Sequence, residues 1–342
     1  MIGNEKLEPA LDQLELEKTS KLAAGIVSGD KQALARAISI MESTRTYDRL
    51  KADIILSDIY PHCGQTLRLG VSGAPGVGKS TFIEALGLHL VKFGHRVAVL
   101  AIDPSSPRSG GSILGDKTRM AKLSRHPNTF IRPSPSKGEL GGVTKRTREV
   151  IACIDAAGFD ILLIETVGVG QSEITIKALA DMFILLISPG AGDDLQGIKR
   201  GIVELADLIV VNKADGDFKT IADRTLHDYM KALLLTDPSQ KTWQTKIVKC
   251  SSLEGHGIEE IWPIVEDFQN MTHGKIFTDE YIESQSKKLV SDEIMEALLL
   301  ELQSNPDMCV KLEEIEKSVR EKVNTPSQAA REILQLFTKQ NS

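Results

Sequence analysis

The run Gly73-Ala74-Pro75-Gly76-Val77-Gly78-Lys79-Ser80-Thr81 has the form G-x-x-x-x-G-K-[ST]. Its glycines let backbone N–H groups turn inward around phosphate oxygens, and a helix opening at its end adds a positive terminus. Lys79 can reach the β- and γ-phosphates of a nucleoside triphosphate, and the Ser80 hydroxyl is placed for Mg²⁺. An apolar, strand-like segment precedes the run and a helical stretch (Phe82, Leu86, Leu90) follows it, which is the context the motif requires. The expectation is a nucleotide site with Lys79 as its catalytic cation.

Two later segments choose the base. Asn212-Lys213-Ala214-Asp215 ends an apolar run and has the N-K-x-D form. A carboxylate at Asp215 accepts from guanine N1–H and the exocyclic N2 amine together, whereas adenine offers neither donor, so GTP/GDP is expected over ATP. Lys213 can lie along the base and brace the phosphate loop. Cys250-Ser251-Ser252-Leu253 resembles the serine-containing loop that contacts guanine O6, which makes Ser251, Ser252 and Leu253 candidate base contacts.

The metal and the hydrolysis step draw on three more places. Ile161–Ile164 leads into Glu165-Thr166-Val167-Gly168. Glu165 stands where most such proteins carry aspartate, and its longer arm allows either direct or water-mediated contact with Mg²⁺. The Gly168 N–H is placed to sense the γ-phosphate. Asp103 ends another apolar run and is a second candidate for the metal or for orienting water. Ser80, Asp103 and Glu165 are thus the candidate metal ligands. Val169 follows the glycine where a water-positioning glutamine is common, and Gln171 comes two residues later, so slow intrinsic hydrolysis is expected. The glycine-rich stretch 110–119, with Asp116, reads as a mobile switch. A third switch is expected over Pro189–Gly201, where Asp193, Gln196 and the candidate catalytic cation Lys199 crowd a glycine-punctuated loop. His62-Cys63 lacks further ligands nearby and reads as structural.

Elements must hold these loops in place. Between 66 and 270, short apolar runs alternate with helical stretches: Leu67–Ser72, Val97–Ile102, Thr129–Arg132, Ile161–Ile164, Phe183–Ile187, Leu208–Val211 and Ile247–Cys250. Strands buried on both faces look like this, and the alternation predicts an α/β, P-loop NTPase fold with a mostly parallel sheet covered by helices. Helical extensions flank it. Leu7, Leu11, Leu14, Leu22 and Ile26 form one stripe; Asp30 caps a second helix; Tyr47, Leu50 and Ile54 mark a third. At the other end Leu289, Ile294, Leu298 and Leu302 form a stripe closed by Asn305-Pro306, and Leu312, Ile315 and Val319 form another. Thr325-Pro326 with Gln328 opens a last helix with a capping box. The expected organisation is an N-terminal helical extension (1–60), a nucleotide-binding domain (61–273) and a C-terminal helical dimerisation region (274–342).

Composition narrows the classes. The 342 residues carry 41 basic and 47 acidic side chains, a net charge of −6, and 4% aromatics, which argues against nucleic-acid binding. No apolar run approaches the ~18 residues of a membrane helix. The acidic N-terminus lacks secretory-signal character, and the four cysteines are scattered without a CxxC pair, so a reducing cytoplasm and no membrane are expected.

The Glu165-Thr-Val-Gly-Val-Gly-Gln-Ser-Glu run resembles P-loop metallochaperone-type GTPases that carry glutamate in this strand-end position. Four stretches narrow the likeness: GDKQALARAISIMES (29–43), GGSILGDKTRM (110–120), RPSPSKGELGGVT (132–144) and PGAGDDLQGIKRGI (189–202). These resemble the methylmalonyl-CoA mutase-associated GTPase chaperones, whose bacterial members were formerly labelled kinases of an arginine/ornithine transport system. The resemblance implies a homodimeric GTPase that associates with an adenosylcobalamin-dependent acyl-CoA mutase, gates cofactor delivery and protects the enzyme. Methylmalonyl-CoA mutase and isobutyryl-CoA mutase are both open as partner. The competing expectation is a nucleotide-dependent protein kinase or ATPase accessory to amino-acid transport; no H-R-D catalytic loop of protein-kinase type is present.

Overall fold

The computed structural model describes residues 11–103, 120–135, 140–166, 172–190, 200–234, 243–276 and 305–340, with scattered helical positions between 290 and 302. Its residues separate into two compact units, Met1–Thr272 and His273–Ser342.

The first unit opens with three helices, α1 (Gln13–Val27), α2 (Lys31–Met41) and α3 (Thr46–Ile59). Asp12 and Asp30 cap the first two, each accepting a backbone N–H two or three residues on. Leu7 lies outside the described residues, and Leu14 is exposed. Ile26 is buried as expected and Leu22 partly so, but the rest of the inward face of α1 is built from Thr19 and Ala23. In α3 the buried stripe is Ala52, Ile55 and Ile59, while the expected Leu50 and Ile54 are half-buried beside it and Tyr47 is exposed with Lys51 over its ring. Propensity places a helix; the neighbouring surface decides which stripe is buried.

Seven strands follow with their covering helices: β1 (Leu67–Gly73), α4 (Lys79–Lys92), β2 (Val97–Asp103), α5 (Ala121–Ser124), β3 (Thr129–Pro135), α6 (Leu140–Ala156), β4 (Ile161–Thr166), α7 (Ser172–Leu179), β5 (Met182–Ile187), α8 (Arg200–Leu205), β6 (Leu208–Val211), α9 (Lys219–Leu234), β7 (Lys246–Lys249) and α10 (Ile261–Ile276). The strand order is β3-β2-β4-β1-β5-β6-β7 and every pairing is parallel. The expected strands are all found. Four run one to three residues further at their C-terminal ends, carrying the ladder up to the loops that bear the chemistry.

Both faces of the sheet are packed, as near-continuous apolar strands require. One core joins Leu69, Val71, Val99, Leu163 and Ile184 to Phe82, Leu86 and Leu90 of α4 and to Ile261, Val265 and Phe268 of α10. The opposite core joins Leu100, Leu162 and Ile164 to Val150 and Ile154 of α6, and continues without a break into Ile26, Leu34, Ile38 and Ile55 of the N-terminal helices. Arg49 reinforces that contact. Its guanidinium donates to both carboxylate oxygens of Glu149 on α6 at 2.8 and 2.6 Å, and to the Met41 carbonyl at 3.1 Å. Arg132 of β3 pairs with Glu42 at the end of α2.

The second unit contains α11 (Pro306–Arg320) and α12 (Pro326–Gln340). Met308, Ile315, Ala329, Ile333 and Phe337 share a core with Leu302. The capping box at α12 forms: Gln328 N donates to Thr325 Oγ1 at 3.3 Å, and Thr325 N donates to Gln328 Oε1 at 3.0 Å. Among the described residues no helix is long and apolar enough to cross a membrane.

Candidate nucleotide site

Loops at the C-terminal edge of a parallel sheet converge where the strand order reverses, and here that is around β1. The chain leaves β1 for β2 and β3 on one side, returns through β4, and crosses to β5 on the other. The phosphate loop emerges from β1 at this reversal. Val77 is buried beneath the loop while Ala74, Pro75 and Gly76 are exposed at its rim, so the backbone is held from below and open above. Gly78 adopts φ +96, and a Cβ there would lie 2.8 Å from Asn212 Nδ2, so both its dihedral and its neighbour demand glycine. Lys79 is the first residue of α4 and is buried; its ammonium donates to the Gly73 and Ala74 carbonyls at 2.8 and 3.3 Å. Those carbonyls hold the ammonium over the cradle. Thr81, by contrast, is exposed.

Ser80 and Glu165 meet. Ser80 Oγ donates to Glu165 Oε1 at 3.1 Å across the gap between α4 and β4. Glu165 pairs in register with Val71, two residues short of the loop, and its carboxylate is buried. The glutamate arm is what carries the acid forward to the serine. A hydroxyl and a carboxylate at this spacing form a hard-oxygen pair suited to Mg²⁺, which takes the rest of its shell from phosphate and water. Asp103 ends β2 as expected, but its side chain lies outside the described residues. So do Gly168, Asp116, Val169, Gln171, and the Asp193, Gln196 and Lys199 of the expected third switch.

The base-side loops are joined more tightly than their sequence suggests. Asn212, 1% exposed, donates through Nδ2 to Val77 O of the phosphate loop at 3.0 Å. Its Oδ1 accepts from Ser252 N at 3.1 Å, Ser252 Oγ at 2.7 Å and Cys250 Sγ at 3.5 Å. One side chain therefore links three segments. Ser251 Oγ donates to Asp215 Oδ2 at 2.5 Å, and Ala214 N donates to Cys250 O at 2.9 Å, so the carboxylate is set between β6 and β7. Lys213 holds φ +59, a left-handed conformation costly for a non-glycine residue; such strain gathers at functional turns. Ser251 and Ser252 are buried, and Leu253 is 81% exposed beside them. Burial pushes the Cys250 thiol up to about 12. Cys63 lies against the Ile59 and Ala152 carbonyls, and burial there raises its thiol to about 11. No group of three or more His, Cys, Asp or Glu side chains gathers as a metal site among the described residues.

Sequence reasoning placed Asn212 and Ser252 at the site without their mutual bonds, and it passed over Gly70. The available signal there was a glycine in the interior of an otherwise apolar strand, which marks a close approach by something else.

A phosphate loop on β1, an N-K-x-D turn after β6 and a serine loop after β7, all at one edge of a parallel sheet, define a P-loop GTPase that binds guanine nucleotides. The family profile described as methylmalonyl-CoA mutase-associated GTPase MeaB matches residues 34–307, and the chain belongs to that family. A protein of Mycobacterium tuberculosis strain H37Rv named as a GTPase is 47% identical over 315 residues, 92% of this chain and 94% of that protein. The mouse mitochondrial homologue of methylmalonic aciduria type A is 42% identical over 339 residues, 96% of this chain and 81% of that protein. The GTPase ArgK of Escherichia coli is 46% identical over 279 residues, 82% and 84% of the two chains. Among solved structures, an LAO/AO transport system kinase superimposes with a TM-score of 0.73 at 34% identity, over 96% of this chain and 99% of that one.

Proposed function

We propose that this GTPase is a cytoplasmic, homodimeric chaperone of an adenosylcobalamin-dependent acyl-CoA mutase, using its nucleotide state to gate cofactor loading and to protect the mutase. The observation that carries this reading is the family match over residues 34–307, whose description names association with methylmalonyl-CoA mutase. In this reading the Lys79 ammonium leaves its two carbonyls to neutralise the β- and γ-phosphates. Backbone N–H groups of 74–80 cradle the same oxygens, and Asp215 and Ser251–Leu253 hold guanine. Ser80 and Glu165, with Asp103 as a further candidate, hold Mg²⁺, which would supply charge neutralisation at the phosphates. The Gly168 N–H reports the γ-phosphate, and Lys199 is the candidate for charge stabilisation from the 189–201 segment. Val169 leaves the usual water-positioning place without a polar group, so free protein hydrolyses GTP slowly and a docked mutase raises the rate.

The test is single-turnover GTP hydrolysis with and without the organism's own cobalamin-dependent mutases, beside titration of each complex in the GDP and GTP-analogue states. Reciprocal coupling requires that acceleration of a nucleotide-sensing complex be matched by different affinities in the two states. Absence of both effects would defeat the chaperone reading and leave the GTPase intact. The name of the 34%-identical solved relative favours a second reading, phosphoryl transfer to a transport protein. Label from γ-³²P-GTP appearing on a partner protein, rather than as free phosphate, would establish it.

A further inference from the structure

We propose that Gly70 and Lys177 are positioning residues for GTP hydrolysis, seating the helix that follows the candidate γ-phosphate sensor directly on the strand that carries the phosphate loop. The inference rests on the reading of Gly168 as that sensor.

Gly70 lies in the middle of β1, three residues before the phosphate loop. A Cβ at this position would stand 2.2 Å from Ile176 Cγ2 and 2.9 Å from Ala180 Cβ. Helix α7 therefore approaches the strand more closely than any residue with a side chain permits. Glycine weakens a central strand, and phosphate binding itself makes no demand three residues upstream, so the close approach of α7 accounts for it. The next residue on the helix adds a second point of attachment. Lys177 pairs with Asp207, whose carboxylate also accepts from Phe183 N at 2.8 Å and whose carbonyl accepts from Trp243 Nε1 at 2.8 Å. Just beyond the helix, Asp181 N donates to Arg68 O at 2.8 Å and Asp181 Oδ2 accepts from Arg68 N at 2.8 Å. The C-terminal end of α7 is thus fixed to β1, to β5 and to the turn before β6.

The N-terminal end of α7 begins at Ser172, four residues after Gly168. A two-turn helix anchored at one end fixes where the chain enters it at the other. Packed interiors yield by discrete shifts rather than by smooth deformation, and hydrolysis tolerates misplacement of about 1 Å poorly. The strand that presents the phosphates and the helix that follows the sensor are therefore held in one register by contact, with no intervening side chain at Gly70 to absorb a displacement.

The full-length protein carries the test. Gly70→Ala is expected to keep GDP affinity within about threefold of wild type while single-turnover hydrolysis falls about tenfold or more. Affinity for a non-hydrolysable GTP analogue should fall relative to GDP. Ile176→Ala and Ala180→Gly added to Gly70→Ala remove both carbons that the new Cβ meets, and should restore most of the rate. Lys177→Met, on the partly exposed side of the helix, leaves the core intact and should lower the ratio of GTP-analogue to GDP affinity about threefold. It decides the matter if Gly70→Ala does not fold. Wild-type hydrolysis in Gly70→Ala, an equal loss of both nucleotides with unchanged turnover, no rescue by the paired Ile176→Ala and Ala180→Gly changes, or an unchanged ratio in Lys177→Met would each overturn the inference. Gly168→Ala separates the two readings. Normal hydrolysis and nucleotide preference in that variant would remove the sensor reading and with it this inference. A defective Gly168→Ala beside normal Gly70→Ala and Lys177→Met would remove only the seat.

Discussion

Replacing Asp215 with asparagine tests the guanine site with a single-atom change. Ser251 Oγ donates to Asp215 Oδ2, and this bond survives if the asparagine oxygen takes that position. The amide nitrogen is then turned toward the base. Guanine presents two donors there, N1–H and the N2 amine, so an amide offers a donor where the carboxylate offered a charged acceptor. One hydrogen bond becomes a donor–donor contact and the other loses its charge assistance. At roughly 1.5–3 kcal/mol for a charge-assisted bond, offset by water at a half-buried site, the loss is about 2–4 kcal/mol. That corresponds to a drop of about 30- to 1000-fold in GDP affinity, at 1.4 kcal/mol per tenfold. Xanthine carries a carbonyl at C2 and accepts from the new amide, so XDP affinity should rise. Competitive titration of GDP against XDP, with a thermal melt to show that the fold is intact, measures both. GDP affinity within a few-fold of wild type, with no gain for XDP, would refute the placement of the base at Asp215.

Other substitutions follow from the same geometry. Asn212→Ala strands Val77 O and both Ser252 donors in a buried site; at about 1–3 kcal/mol per orphaned group, with partial rehydration, it should cost about 3–5 kcal/mol, read as chemical denaturation without nucleotide. A loss below about 1 kcal/mol would show that this network does not hold the loops together. Lys79→Ala should abolish turnover and weaken triphosphate binding, whereas Ser80→Ala should mainly impair Mg²⁺-dependent turnover; normal hydrolysis in both would move the active site elsewhere. Arg49→Ala leaves the Glu149 carboxylate buried without its guanidinium and should destabilise the first unit by about 3 kcal/mol, with a control in which both residues become uncharged costing less. The Cys63 thiol, raised from 9.0 to about 11 by burial, should react with iodoacetamide near pH 7.5 about 100-fold more slowly than an unperturbed thiol. Deleting residues 275–342 should convert a dimer to a monomer by light scattering, and a full-length protein that is monomeric at micromolar concentration would remove the proposed homodimer.

The interior strands were legible because they are buried on both faces, so the sequence writes them as short apolar blocks. Leu208–Val211 is found with the boundaries the pattern predicts, and the capping box at Thr325 forms as its spacing requires. Inward faces of helices were less legible. Leu14 belongs to the same stripe as the buried Ile26 yet is exposed, because α1 turns Thr19 and Ala23 with Ile26 toward α2 and α3. The phosphate loop and the N-K-x-D turn could be read directly, since each is contiguous in sequence and its chemistry is local. Contacts between segments far apart in the chain could not. The Asn212–Val77 bond spans 135 residues and the Ser80–Glu165 bond spans 85, and no local pattern specifies which distant partner a polar side chain will meet.

The sheet order brings the phosphate loop and the N-K-x-D turn close to the root of the segment that leaves β5. Glu165 stands at the end of β4 on one side of β1, whereas Asp215 and Ser251 follow β6 and β7 on the other. Strand β5 lies between them, and the segment leaving it begins at Ser188. Its root is tied down: Gly190 N donates to Thr225 Oγ1 at 3.1 Å, and Thr225 is 2% exposed within α9. That helix starts four residues after Asp215. The base-recognition turn and the root of the 189–201 segment therefore share one helix, while the phosphate loop meets the same turn through Asn212. A partner that pulled on the Ser188–Gly190 root would act on the helix that starts beside the Asn212–Asp215 turn. Such coupling needs no long chain of intermediaries, because the strand reversal at β1 has already brought the phosphate, metal and base elements to one edge.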